Sequence, residues 1–250
     1  MDHLKSILIV GANGATGRLL VTELLDRGHR VKAIVRSAEN FSQAIRENEN
    51  FSIIRANVLD LSNAEIDKYI KECDAVASCL GHNVSFKGIF GPPYRLVTDA
   101  TRRLCESIKR NNTDKSIRFV LMNTTANQNR DLDEKVSFAQ QFIIRVLRLL
   151  LPPHVDNEKA ADYLRTQVGQ KDSVIEWVAV RPDGLTNEGN VSEYDLHPSP
   201  IRSAIFDPGK TSRINVGHFM AELLTNDDLW KTWKGQMPVI YNRESPDELS

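Results

Sequence analysis

The chain alternates short, almost continuous apolar runs with longer stretches in which apolar positions recur every three to four residues. Apolar runs without polar alternation are typical of strands covered on both faces, as in a parallel sheet. The three-to-four-residue period predicts helices between them. The predicted strands are Ile7–Val10, Arg30–Val35, Phe51–Arg55, Ala75–Cys79, Ile117–Met122 and Ile175–Val180, and the predicted helices are Gly14–Arg27, Ala38–Glu47, Asn63–Lys71, Pro93–Arg110 and Asn157–Gln167.

This alternation predicts a doubly wound (Rossmann) α/β fold, in which a mostly parallel sheet carries helices on both faces. Residues 1–250 contain no repeat, low-complexity tract or linker, so we expect a single domain. Segment 183–212 is rich in Pro, Gly, Asn and Ser. We expect it to be loop-rich and to border the substrate, because ligands of such sheets lie at the carboxyl ends of strands. The amphipathic stretch 138–150 is expected to pack against the sheet, with a pocket wall or a subunit contact as alternatives.

Composition excludes several classes of protein. The net charge of −1 gives no overall attraction to nucleic acid or to an anionic membrane. The longest apolar stretch, 138–151, is interrupted by Gln and Arg and is too short for a membrane span of about 20 residues. Three cysteines, Cys73, Cys79 and Cys105, lack the spacing of a disulfide framework or a metal site. We therefore expect no metal and reduced, mostly buried thiols in the cytoplasm. The expected assembly is left open between a monomer and a small homo-oligomer.

Three glycines directly follow the first predicted strand and open the first predicted helix. Gly11 allows a sharp turn, Gly14 lets backbone amides approach a pyrophosphate, and Gly17 allows close packing of the helix on the sheet. The helix N-terminus offers unpaired N–H groups and a partial positive charge to phosphates. In this context the glycines predict a dinucleotide site, whose loop also includes Asn13, Ala15 and Thr16.

The end of the second predicted strand distinguishes two cofactors. An NAD site usually has Asp or Glu about 20 residues past the glycines, bonded to the ribose 2′-hydroxyl. Here Arg36 stands in that place, and the first carboxylate after it is Glu39. A guanidinium can form bidentate bonds with a 2′-phosphate, which a carboxylate would repel. We therefore favour NADP(H) over NAD(H).

The glycine motif together with Arg36 resembles the short-chain dehydrogenase/reductase superfamily, in its atypical, NmrA-like, NAD(P)H-binding branch. The likeness spans most of the chain and is closest to the biliverdin reductase B/flavin reductase type, whose His-x-x-x-x-Lys pattern is matched by His154 and Lys159. The resemblance implies that Lys159 bonds the nicotinamide ribose and that Thr124, after the fifth strand, contacts the nicotinamide or the substrate. It further implies cofactor contacts from Asn57, Val58, Leu80, Gly81, His82 and Pro182.

The chain departs from the superfamily at its catalytic pair, Tyr-x-x-x-Lys. Lys159 matches the lysine, but Val155 stands where the tyrosine is expected, and Tyr163 follows the lysine by one helical turn. Reduction of an isolated ketone needs a positioned acid. His154 and His82 are the two candidates for that acid.

A conjugated acceptor places weaker demands on the protein. The negative charge spreads over many atoms and water supplies the proton, so positioning suffices. Our first hypothesis is therefore an NADP(H)-dependent oxidoreductase that transfers hydride to a flat, flavin-like, quinone-like or other conjugated small molecule. A non-catalytic NADP(H)-binding redox sensor or regulator of the NmrA-like type is the alternative. A carbonyl reductase or epimerase with a histidine acid is a third hypothesis.

Overall fold

The computed structural model describes residues 4–82, 91–111, 115–134 and 137–243. The strands are β1 Ser6–Val10, β2 Arg30–Val35, β3 Phe51–Arg55, β4 Ala75–Ser78, β5 Ile117–Met122, β6 Ile175–Pro182, β7 Gly184–Thr186, β8 Tyr194–His197, β9 Lys210–Ser212 and β10 Val239–Asn242. The helices are α1 Ala15–Asp26, α2 Gln43–Arg46, α3 Asn63–Ile70, α4 Leu96–Asn111, α5 Phe138–Leu150, α6 Pro152–Tyr163, α7 Arg213–Thr225 and α8 Asp227–Trp233. A π-helical turn, Leu164–Val168, continues α6.

The main sheet has the strand order β3-β2-β1-β4-β5-β6-β10-β8. Its strands are parallel except β8, which runs antiparallel to β10. The order of the strands reverses between β1 and β4, and a crevice at such a reversal is where doubly wound sheets bind ligands. The predicted doubly wound, mostly parallel α/β fold is confirmed. A separate parallel pair, β7 and β9, lies in segment 183–212, which otherwise contains only β8.

Alternate residues of β1 show how the sheet divides the core into two layers. Ile7 and Ile9 pack with α1 and α7 on one face, whereas Leu8 and Val10 pack with α3, α4 and α6 on the other. All four side chains are fully buried. This is the period of two expected for a strand covered on both faces, and it explains why β1 is a continuous apolar run.

Two helices begin five residues away from their predicted starts. The predicted helix Ala38–Glu47 is reduced to α2, which begins after Ser42, whose hydroxyl accepts a hydrogen bond from the backbone of Ile45. Helix α6 begins at Pro152, five residues before the predicted start at Asn157. Proline suits the first helical position because its missing N–H would have no intrahelical partner there.

Helix α5 does not pack against the sheet as predicted. Phe138 is 82% exposed and Phe142 is 62% exposed, whereas Ile144 on the opposite side is buried. Helices α1 and α7 cover one face of the sheet and α3, α4 and α6 cover the other, which leaves no face for α5. No helix in the described ranges is both long and apolar enough to cross a membrane.

The three cysteines are free thiols, as predicted, and Cys73 and Cys105 are buried. Burial raises the pKa of Cys73 to about 11 and that of Cys79 to about 12. Burial also raises the pKa of Cys105. Since the thiolate is the reactive form, these side chains are suited to packing rather than to nucleophilic chemistry.

Candidate functional site

The glycine loop forms a tight turn between β1 and α1. Gly11 has a φ of 73°, and a Cβ at this position would lie 2.5 Å from the carbonyl carbon of Cys79. A Cβ on Gly17 would overlap the carbonyl oxygen of Gly11, so α1 lies directly against the turn. Gly14 N donates to Gly11 O at 3.0 Å and leads into the helix. Both Gly11 and Gly17 are therefore required by contact with the neighbouring backbone.

A cavity of about 570 Å³ opens above this loop at the carboxyl ends of β1, β2, β3 and β4. Of the predicted cofactor residues, it is lined by Gly11, Asn13, Gly14, Arg36, Asn57, Val58, Leu80 and Gly81. Ala15, Thr16 and Gly17 form the first turn of α1, next to this wall. His82 follows Gly81, and Pro182 is buried at the end of β6, where its carbonyl accepts from Thr125 N at 3.1 Å.

The polar groups at the bottom of this cavity fit a dinucleotide. Gly14 is the N-cap of α1, and no side chain caps the helix. Its first amides therefore remain free for phosphate oxygens. Asn13 Oδ1 is buried without a hydrogen-bond partner in the described structure. A buried acceptor of this kind is costly unless a ligand supplies a donor, which a ribose hydroxyl would do.

Arg36 lies in the wall of the cavity, one residue past β2. Its side chain is exposed and makes no hydrogen bond or ion pair with any described residue. Ser37 and Asn40 line the same wall, and the described lining contains no Asp or Glu. The charge of this wall is therefore positive, which suits a phosphate and does not provide the carboxylate that would receive a 2′-hydroxyl.

His154 belongs to a cluster of charged groups on α5 and α6. Its Nε2 lies at ion-pair distance from Glu158 Oε1, 3.4 Å, and Glu158 also binds Arg148 Nη2 at 2.8 Å. Burial acts to raise the pKa of Glu158, but His154 and Arg148 outweigh it and lower that pKa to about 2. The cluster holds His154 against α5, and the first cavity is lined without it.

Lys159 and Thr124 also lie outside the lining of the first cavity. Lys159 is exposed on α6 and makes no hydrogen bond or ion pair with a described residue. Thr124 follows β5, where its N–H donates to Asn123 Oδ1 at 2.9 Å. Sequence reasoning missed Asn123, whose Nδ2 donates to Asn157 O at 2.9 Å and connects β5 to α6. The catalytic roles of these residues stay predictions.

Sequence reasoning also missed Asp156, which is 1% exposed. Its Oδ1 accepts from Thr98 N at 2.9 Å, and its Oδ2 accepts from Val97 N at 2.8 Å and lies 2.8 Å from His82 Nε2. Because the two backbone donors belong to the first turn of α4, the carboxylate lies at the positive end of that helix. The signal available in the sequence was the lack of any acidic residue or other cap before Leu96.

A second cavity, of about 410 Å³, lies beside the loop that follows β5. Its walls come from this loop, from α5 and from segment 183–212. The lining residues are Thr125, Ala126, Gln128, Glu134, Ser137, Gln140, Ile144, Pro200, Ile201, Arg202 and Ser203.

Arg181 connects the walls of the second cavity. Its side chain is fully buried, and its Nη2 lies 2.7 Å from Glu134 Oε1. The guanidinium also donates to the carbonyl oxygens of Asn127, Pro198 and Met237. One side chain therefore fixes the positions of the loop after β5, segment 183–212 and the approach to β10.

Comparison with known proteins, like the geometry of the first cavity, indicates a protein that binds a dinucleotide. Residues 11–227 match the NAD(P)H-binding family. An uncharacterized chloroplastic protein of Arabidopsis thaliana is 25% identical over 224 residues, which cover 90% of this chain and 73% of that protein.

Solved structures share the fold. A putative NAD-dependent epimerase/dehydratase from Bacillus halodurans has a TM-score of 0.69 at 22% identity, over 97% of this chain and 96% of that one. A short-chain dehydrogenase/reductase from Veillonella parvula in complex with NADP has a TM-score of 0.68 at 15% identity, over 96% and 95%. A putative NADH-flavin reductase from Streptococcus pneumoniae has a TM-score of 0.64 at 18% identity, over 96% and 100%.

Proposed function

Because the chain belongs to the NAD(P)H-binding family, we propose that it is an NADP(H)-dependent oxidoreductase that reduces a flat, conjugated small molecule. The observation that carries the choice of cofactor is the wall of the first cavity. It holds an unpaired guanidinium, Arg36, and its described lining has no carboxylate. The NADP bound to the Veillonella parvula structure supports the same cofactor.

Different residues of the first cavity would bind different parts of the cofactor. The free amides at the start of α1 would hold the pyrophosphate, and Arg36 would hold the 2′-phosphate. Asn13 would accept a hydrogen bond from a ribose hydroxyl. When bound, NADPH supplies the hydride of the reaction. The role of the chain is to fix the cofactor and to bring the acceptor to the same edge of the sheet.

The side chains around the two cavities favour an acceptor that needs no protein acid. None of the described residues that line either cavity is a tyrosine. His82 lies against the buried carboxylate of Asp156, and His154 lies against Glu158. An acceptor that spreads the charge of the added hydride can take its proton from water, so it suits such a site. The name of the Streptococcus pneumoniae protein, a putative NADH-flavin reductase, supports an acceptor of this kind.

The proposal is tested by anaerobic mixing of the protein with NADPH and a panel of flavins and quinones. We expect loss of NADPH absorbance at 340 nm with at least one acceptor, and slower loss with NADH. Tight NADPH binding without oxidation by any acceptor would overturn the proposal and support a redox-responsive regulator. The same panel includes an isolated ketone, which we expect to react more slowly than the conjugated acceptors.

A further inference from the structure

We propose that the second cavity binds an electrically neutral conjugated ring with both carbonyl and ring N–H groups, and that Gln128 and Gln140 recognise these groups. The inference rests on the proposed function, because it names the acceptor that would meet the cofactor. It follows from the charge balance of the cavity and from the amide groups in its wall.

The charged side chains of the second cavity are already paired. Glu134 is bound by Arg181 at 2.7 Å, and Arg202 Nη2 lies 2.8 Å from Asp207 Oδ1. No other Lys, Arg, Asp or Glu lines the described part of the cavity. The Glu134–Arg181 pair is buried and the Arg202–Asp207 pair is partly exposed, so an anionic ligand would have to take Arg202 from Asp207 or remain without a counter-charge. The first cavity differs, because Arg36 is unpaired there.

Gln140 presents a fixed amide to the cavity. It is 9% exposed, and its Oε1 accepts a hydrogen bond from Ser203 Oγ at 2.8 Å. With Oε1 on Ser203, the other end of the amide is Nε2, a donor with no partner among the described residues. Its position suits a ligand carbonyl oxygen.

Gln128 lies in the loop after β5 and makes no hydrogen bond with a described residue. Its amide offers a donor and an acceptor. Together with Gln140 it can satisfy a ring edge that carries both carbonyl and N–H groups. A quinone has only acceptors and would leave the Gln128 oxygen without a donor. A polar group that a ligand covers without giving it a partner is costly. We therefore expect the cavity to prefer the ring with both groups.

Riboflavin and FMN provide the test, since they share the same ring and differ by a phosphate. Binding is measured by quenching of flavin fluorescence in protein saturated with NADP⁺, where no turnover occurs. We expect the Kd for riboflavin to be about threefold to fivefold lower than that for FMN, because the phosphate has to compete with Asp207 for Arg202. Equal or tighter binding of FMN would overturn the inference.

Variants locate the binding. Gln140→Leu and Gln128→Leu are each expected to raise the Kd for riboflavin about fivefold to tenfold, as for the loss of one hydrogen bond. Gln141→Leu, at the exposed neighbouring position on α5, is the matched control and is expected to leave this Kd unchanged. None of these variants should change the Kd for NADP⁺. Unchanged riboflavin binding in both Gln140→Leu and Gln128→Leu would contradict the inference.

Two further measurements keep the outcomes distinct. Ser203→Ala removes only the bond that orients the Gln140 amide, so it is expected to raise the Kd for riboflavin by less than Gln140→Leu does. A larger rise than in Gln140→Leu would assign the effect to the wall and overturn recognition by Gln140. Under anaerobic conditions, NADPH and a proton from water should convert riboflavin to dihydroriboflavin and NADP⁺. Riboflavin binding with the expected pattern but without this conversion would overturn the proposed function and uphold the inference. Turnover of FMN in preference to riboflavin would uphold the proposed function and overturn the inference.

Discussion

Asp156 Oδ2 and His82 Nε2 lie 2.8 Å apart and connect α6 to the end of β4. The same carboxylate binds the first turn of α4 through the amides of Val97 and Thr98. Gly81, which precedes His82, lines the first cavity. The position of this part of the first cavity therefore depends on a side chain from the helix that carries His154 and Lys159.

Asp156→Asn is expected to lower the free energy of unfolding by about 2–3 kcal/mol, because an amide replaces one acceptor oxygen with a donor that faces other donors. Urea denaturation followed by circular dichroism measures the change. Asp99→Asn, which removes a half-exposed carboxylate from α4, is the control and should cost about 0.5 kcal/mol or less. Equal losses of unfolding free energy in the two variants would show that the buried contacts of Asp156 add nothing to stability.

Arg36→Ser is expected to raise the Kd for NADPH about 10- to 100-fold and to change the Kd for NADH by less than about threefold, because only NADPH carries the 2′-phosphate. Titration calorimetry with both nucleotides measures the two values. Arg46→Ser, at an exposed position on α2 outside the cavity, controls for the loss of one positive charge. A parallel loss of NADPH and NADH affinity in Arg36→Ser would assign the residue to structure instead.

Gly17→Ala is expected to weaken NADPH binding at least about tenfold and to lower the free energy of unfolding by about 1–3 kcal/mol. The added Cβ would meet the backbone of Gly11, which cannot move without opening the turn. Gly189→Ala is the control, since a Cβ there would meet no atom within 4 Å and its effect should stay within about 0.5 kcal/mol. Wild-type affinity in Gly17→Ala would show that the close approach of α1 to the turn is dispensable.

Glu158→Gln is expected to remove a pH-dependent part of the stability. The pKa of this carboxyl is about 2 in the folded protein and about 4.3 in an unfolded chain, so its contribution is present above about pH 4.3 and is lost as the pH falls toward 2. The free energy of unfolding of the wild type should exceed that of the variant by about 2 kcal/mol at pH 6 and by much less at pH 2.5. Denaturant unfolding across this range measures the difference. Glu106→Gln, exposed on α4, controls for the removal of a carboxylate, and a difference that does not vary with pH would contradict the prediction.

The sequence predicts well those features that depend on neighbours along the chain. The bounds of β2, β3 and β5 match the predicted ones, because apolar residues predominate in each segment. The glycine loop is equally local, since all of its requirements fall within 11–17. The position of Arg36 at the wall of the first cavity follows from the end of β2 and was predicted for the same reason.

The features that were missed depend on contacts between distant parts of the chain. Asp156 contacts His82, which is 74 positions away in the sequence, and Arg181 binds the carbonyl of Met237, which is 56 positions away. Neither pairing leaves a periodic signal, and a strand position such as Arg181 is indistinguishable in sequence from a solvated one. The wrong prediction for α5 has a related cause. An apolar stripe shows that a helix can be buried, but whether the sheet has room for it depends on the other helices.

The three carbonyl contacts of Arg181 determine when the second cavity can be completed as the chain is synthesised. The ribosome delivers Arg181 before Pro198 and Met237, so the guanidinium emerges with part of its hydrogen-bonding capacity unfilled. The described residues that line the first cavity all precede Arg181 in the chain, whereas the second cavity also needs Pro200, Ile201, Arg202 and Ser203. The second cavity therefore obtains its last contact from Arg181 only after Met237 has been synthesised.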